Sequence, residues 1–293
     1  MKYIHYITLV LVLITFQACE DVIDVPLDAA DPIITVDAWI DNRAQDQEII
    51  LSWSQSYFDS TFVQRIEEAE VTLTNSNGSI FVFDHRTNGR YIYNGAREVI
   101  GQVGDQFTLD INVDGINISA ISEMNRVPAI DSIEQELMVN EPFIEDGVYC
   151  NFFATDPAGS GDTYWIKTFK DGRYLNRPSE INIAFDSTFD GGIAVESAEV
   201  FIQPIQDFNN EVDENFTPQP WLTGEVITVE IHAITNRAFG FMELVRDQLL
   251  NGNNGIFAEP LANTTTNLST DSGAPVLGFF SVAAVSSMSD TIR

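Results

Sequence analysis

The stretch from Phe107 to Ala120 constrains the fold more tightly than any other. Apolar residues alternate along Phe107-Thr108-Leu109-Asp110-Ile111-Asn112-Val113, Asp114-Gly115 interrupts them, and Ile116-Asn117-Ile118-Ser119-Ala120 resumes the pattern. A period of two places Phe107, Leu109, Ile111 and Val113 on one face of a strand. An Asp-Gly pair between two such runs is the signature of a tight hairpin turn, whose central residues adopt positive φ. The same residues offer Asp110, Asn112, Asp114 and Gly115 at positions one, three, five and six of a calcium-binding loop. Position twelve of that loop is Ile121 and not a bidentate Glu, so the hairpin is the reading.

The alternation recurs upstream. Ile34, Val36, Ala38 and Ile40 share one face, with Trp39 on the other; Ile49, Leu51 and Trp53 form a second run, and Val71 and Leu73 a third. Asn77-Gly78 turns the chain into Ile80-Phe81-Val82-Phe83, and Arg90 to Tyr93 starts another strand. Short strands spaced by turn residues predict an immunoglobulin-like or transthyretin-like β-sandwich over residues 33–126. Val127 to Glu141 then reads as the connection into a second, β-rich domain, residues 127–293. Its expected strands are Val148–Ala154, Thr163–Phe169, Ile181–Phe185, Val195–Ile202, Gly224–Ile234 and Val276–Val285. Gln203 to Pro220 turns polar and reads as a long surface loop. One helix is expected near 237–250, where Ala238, Phe241, Met242, Val245 and Leu249 recur at spacings of three and four, with Asn236 as its cap. The fold class expected is thus mainly all-β: two β-sandwich domains, the second with one helix packed on a sheet.

The chain opens with Lys2 ahead of an apolar run, Ile7 to Phe16, closed by Gln17-Ala18-Cys19. Ten helical residues span about 15 Å, half a bilayer core, which marks a signal peptide over residues 1–18 and not a membrane span. Cys19 directly after Ala18 resembles a bacterial lipobox, in which the cysteine is acylated. Glu20, Asp21, Asp24, Asp28 and Asp31 follow, so residues 19–32 read as a lipidated acidic tether. The acidic residues beside the cysteine resemble the surface-export signal of lipoproteins in the Bacteroidota, which predicts an outer-membrane location facing the cell exterior.

Fourteen basic residues against 44 acidic ones give a net charge of −30. That field repels phosphate backbones and anionic lipid heads, so no nucleic-acid partner is expected and membrane attachment falls to the lipid anchor. With Cys19 acylated, Cys150 has no partner for a disulfide, and Tyr149-Cys150-Asn151-Phe152-Phe153 reads as a buried strand.

Few residues invite chemistry. His85 and His232 stand far apart and, with Cys150, form no zinc spacing, so no metal or cofactor is expected. Gly159-Ser160-Gly161 lacks the nucleophile-elbow pattern, although counting alone leaves a Ser-His-Asp arrangement open. Trp221 beside Pro220 is the candidate stacking surface for a ligand. Asp131-Ser132-Ile133 and Asp290-Thr291-Ile292 resemble an O-glycosylation signal of exported Bacteroidota proteins, which makes Ser132 and Thr291 candidate modification sites.

Five stretches together resemble a Bacteroidota lipoprotein family catalogued as domain of unknown function 4249. They are Cys19-Glu20-Asp21-Val22-Ile23-Asp24-Val25, Val36-Asp37-Ala38-Trp39-Ile40, Gly101 to Phe107, Val127-Pro128-Ala129-Ile130-Asp131-Ser132-Ile133, and Leu277-Gly278-Phe279-Phe280-Ser281. The resemblance implies an outer-membrane lipoprotein and, because such genes usually lie beside TonB-dependent receptors, a transport barrel as partner. It carries no assigned active site. The function expected is therefore an accessory binding or lid subunit of a TonB-dependent nutrient transporter. A surface hydrolase of glycan or peptide and a structural or adhesion module are the alternatives.

Overall fold

The computed structural model describes residues 31–55, 61–95, 98–142, 145–155, 157–186, 200–202, 219–251 and 264–293. The expected signal peptide, Cys19, most of the expected tether and residues 203–218 of the expected loop at 203–220 lie outside the described residues. Seven strands come first: β1 (Ile34–Asp41), β2 (Gln47–Trp53), β3 (Glu70–Asn75), β4 (Ile80–Thr87), β5 (Arg90–Tyr93), β6 (Gln106–Val113) and β7 (Ile116–Glu123). β6 and β7 pair from Gln106↔Glu123 to Val113↔Ile116 across a turn in which Asp114 has φ 50° and Gly115 φ 84°. This is the two-residue turn that the Asp-Gly pair predicts. The β3–β4 hairpin forms as well, but across the four residues Ser76 to Ser79, with positive φ at Gly78.

The second half comprises β8 (Ile130–Met138), β9 (Gly147–Ala154), β10 (Thr163–Lys170), β11 (Arg173–Tyr174), β12 (Asn182–Phe185), β13 (Val200–Ile202), β14 (Val226–Ile234), helix α1 (Asn236–Asn251), β15 (Ser269–Thr270) and β16 (Leu277–Thr291). The protein is mainly β, with one large sheet, one small sheet and one described helix. The large sheet has 13 strands in the order β11-β10-β14-β16-β1-β2-β5-β4-β3-β6-β7-β15, with β12 added to β10; the small sheet runs β13-β9-β8.

A sheet of that many strands does not stay flat, and this one curls until β7 returns to β16. Asn125 bridges Ala283, Ser122 Oγ accepts the Val282 N–H at 3.1 Å, and Asn267 both donates to and accepts from the Phe280 backbone. The enclosed core holds Val36, Leu51, Leu73, Tyr91, Phe107, Leu109 and, from β16, Phe280, Val282 and Ala284. A second core lies between the small sheet and β10, β14 and the end of β16, around Cys150, Phe152, Ile166, Trp221, Val229 and Ile292.

The two cores meet near Val127, which packs against both, and Pro32–Arg293 is one compact unit. The reason is β16. Its first half pairs in parallel with β1, Thr35↔Leu277 through Asp41↔Ala283, and its second half runs antiparallel to β14, Ala233↔Ala284 through Val226↔Thr291. That strand outruns the expected Val276–Val285 because Ser286-Ser287-Met288-Ser289-Asp290 carries no apolar alternation. The expected connection 127–141 is also corrected: most of it is β8, whose Asp131, Glu134 and Glu136 face solvent and disguise it.

Helix α1 packs against β10, β12 and β16, burying Ala238 and Met242. Its cap is Thr235 and not Asn236: Thr235 Oγ1 accepts the Ala238 N–H at 3.2 Å. Leu249, expected on the packed face, is 49% exposed.

Candidate functional site

Strands present alternate residues to opposite faces, so the core-facing residues of β1, β16, β14 and β10 leave a second set on the outer face. On β1 these are Asp37, Trp39 and Asp41; on β14, Glu230 and His232; on β10, Trp165 and Lys167. Register brings them level. Trp39 lies opposite Ser281, His232 opposite Val285 and Trp165, and Glu230 opposite Lys167. Two strands separate Trp39 from Trp165, but the small side chains of Ser281 and Ala283 let the indoles meet edge to face, 5.0 Å between ring centroids. Phe279 and Phe241 extend the cluster beneath α1. Under the indoles is a cavity of about 20 Å³, lined by Trp39, Trp165, Lys167, His232 and Ser281. It is large enough for one water.

Arg43, in the β1–β2 turn, ties the charged groups together. Its guanidinium donates to Asp41 Oδ2 from Nη2 at 2.6 Å and from Nε at 3.1 Å, and reaches across to Glu230 Oε1. Glu230 Oε2 in turn bonds His232 Nε2 at 2.9 Å. Gln45 and Gln47 also donate to Asp41. Burial works against both carboxylates, but Arg43 and Gln47 on Asp41, and His232 and Arg43 on Glu230, hold them below the usual range. His232, 4% exposed, is pushed down to about 4 by burial in spite of Glu230. Lys167 is lowered to about 8, again by burial, and its Nζ lies 3.9 Å from the centroid of the Trp165 ring.

Ser281, His232 and Glu230 are the residue types of a hydrolytic triad gathered at one cavity. Their geometry is not that of one. Ser281 is 1% exposed and its Oγ makes no hydrogen bond to His232, whose Nε2 faces Glu230. Nucleophile and base must share a hydrogen bond for the base to take the proton.

A second concavity, of about 500 Å³, opens beside the small sheet, lined by Ile133, Gln135, Leu137, Val148, Asp290 and Arg293. Leu137 is 67% exposed there. Trp221 sits next to it without lining it: its backbone N–H donates to Val148 O at 2.8 Å, while the ring is 2% exposed in the second core. The expected stacking surface is therefore a core side chain. Ser132 is half-buried in β8 opposite Phe153, and Thr291 is the exposed last residue of β16. Cys150 is fully buried, with its thiol pushed up to about 12 by desolvation. His85 lies over Tyr91 on β5, remote in register from His232. Among the described residues no group of three His, Cys, Asp or Glu is placed to hold a metal ion, and no helix is long and apolar enough to cross a membrane.

A family model described as Domain of unknown function (DUF4249) matches residues 20–289. The chain belongs to this family. No curated protein matches it. Within the DUF4249 chain, two stretches that carried the resemblance prove to be neighbours: Val36–Ile40 and Leu277–Ser281 are parallel register partners, and both border the Trp39 cluster. Sequence reasoning placed Trp39 opposite the core face, but it did not single out Asp41, Arg43, Lys167 or Glu230. The available signal was the recurrence of polar residues at every second position, Thr228, Glu230 and His232 on β14, in strands whose other face is apolar.

Proposed function

We propose that this DUF4249 protein is a lipid-anchored outer-membrane protein, facing the cell exterior, that serves as an accessory binding or lid subunit of a TonB-dependent nutrient transporter. The observation that carries the reading is Cys19, placed after Ala18 at the end of a short apolar run and followed at once by Glu20 and Asp21. The compact unit begins at Pro32. The groove of about 500 Å³ beside β8 falls in the range of ligand sites and supports a role in binding. The barrel partner follows from the family resemblance.

Two experiments test this. Palmitate labelling and membrane retention are lost in Cys19→Ala; labelling that persists overturns the anchor. A pull-down of the tagged protein in mild detergent recovers a barrel protein, across an interface above about 1,000 Å². Recovery of none, with unchanged growth of a deletion strain on every nutrient tried, removes the transporter reading.

A further inference from the structure

Strand β8 ends the small sheet. Its backbone pairs on one side with β9, from Ile130↔Ala154 to Met138↔Gly147, and among the described residues no strand pairs with its other side. It has nine residues, whereas β11, β12, β13 and β15, the other strands at sheet ends, have two to four. An edge of that length presents a row of backbone N–H and C=O groups with which another chain can pair. The groove of about 500 Å³ takes most of its lining from β8 and the end of β16. Ile133, Gln135 and Leu137, at every second position of β8, turn into it. Gln135 donates to Asp290 Oδ2 at 2.7 Å and to Thr291 O at 3.0 Å, and accepts the Arg293 N–H at 2.9 Å, so the far wall is held in place. Leu137 is exposed there, and Glu134 and Glu136 are exposed on the opposite face of the strand.

We propose that the β8 edge is a docking site for an extended polypeptide segment of a partner, which adds as a fourth strand to the small sheet and alternates basic with aliphatic residues. Strand addition draws its affinity from the main-chain ladder and its selectivity from pockets that take alternate side chains. On such a strand, the residues level with Ile133 and Leu137 enter the groove and are aliphatic. Those level with Glu134 and Glu136 stand on the outer face, where Lys or Arg complements the two carboxylates. A second copy of this chain is the wrong occupant. It would set Glu134 and Glu136 against the same residues of the copy, and two chains of net charge −30 repel. The inference rests on the binding role proposed above for the groove and names its ligand as a polypeptide; neither the anchor nor the barrel enters it.

A fluorescein-labelled nonapeptide of alternating Lys and Val, acetylated and amidated, is titrated with the purified protein and read by fluorescence anisotropy. No membrane or barrel is present, so failure here leaves the transporter reading standing, and failure of the pull-down leaves this one. The peptide binds, and hydrogen exchange over residues 130–138 slows. A general attraction of cations to an acidic protein is separated by the same sequence N-methylated at every residue, which keeps charge and side chains and loses the ladder; it binds at least about tenfold more weakly. Glu134→Lys with Glu136→Lys weakens binding at least about tenfold, whereas Glu70→Lys with Asp84→Lys, the same charge change at exposed positions of β3 and β4, leaves most of it. Equal affinity for the N-methylated peptide, equal loss in the two double variants, unchanged exchange over residues 130–138, no binding, or dimerisation of the protein through β8 overturns the proposal.

Discussion

Gly278 lies opposite Val36 in the parallel β1–β16 register, and a Cβ placed on Gly278 would stand 1.9 Å from the Val36 carbonyl oxygen. Its φ of 92° is also closed to ordinary side chains. Gly278→Ala therefore separates β1 from β16 or forces the backbone out of register. We expect a loss of more than about 3 kcal/mol, read as a fall in the urea midpoint. A midpoint unchanged from wild type would show that the two strands give way easily.

Arg43 is the counter-charge for Asp41 and Glu230, whose side chains are 8% and 9% exposed. Arg43→Met leaves two buried carboxylates without it. Arg43 is itself a third exposed, so the cost is about 2–4 kcal/mol and not the full value of a buried pair. The double variant Arg43→Met, Glu230→Gln removes one of the stranded charges and regains part of the loss. Chemical denaturation of the single and double variants checks this; strict additivity would mean that the two groups do not interact.

His232 makes stability depend on pH in a set direction. Its folded value of about 4 lies below the ordinary 6.5, so the unfolded chain takes up the proton first. The stability it contributes is complete above pH 6.5 and is lost as pH falls towards 4. Calorimetry across that window should show a decline that shrinks, by up to about 3 kcal/mol, in His232→Gln. An identical decline in the variant would assign the acid limb to other groups.

Cys150 should be chemically silent. Fully buried and with its thiol pushed up to about 12, it offers almost no thiolate at neutral pH. A disulfide-exchange reagent should modify it only after denaturant is added, and reductant should leave the melting temperature where it was. Prompt modification in the native protein would mean that β9 opens readily.

The strands that face one core and one solvent layer were legible before any coordinates. β1, β2, β6 and β7 alternate apolar and polar residues because only one face of each is buried, and the positive-φ requirement at Asp114-Gly115 fixed a turn. β8 and the second half of β16 were not legible. Their inward residues, Ile133, Gln135 and Met288, are diluted by Asp131, Glu134, Glu136, Ser287 and Ser289, so no clean period survives. Trp221 misled because its neighbour Pro220 and the polar stretch before it suggested a surface, whereas Val148 draws its backbone to the edge of β9 and the ring into the core. The charged group on the outer face was hidden for another reason. Asp41, Arg43, Lys167 and Glu230 come from three distant segments, and only the pairing of β1, β14 and β10 through β16 makes them neighbours.

The position of β16 sets an order on events during synthesis. Both cores need it, the first through Phe280 and Val282 and the second through Met288 and Ile292, and β1 waits for it through the whole length of the chain between them. Pairing of such distant segments carries a high loop-closure cost and slows folding. A nascent chain halted anywhere before Leu277 has strands but no closed core. The polypeptide therefore stays threadable until its last strand is made.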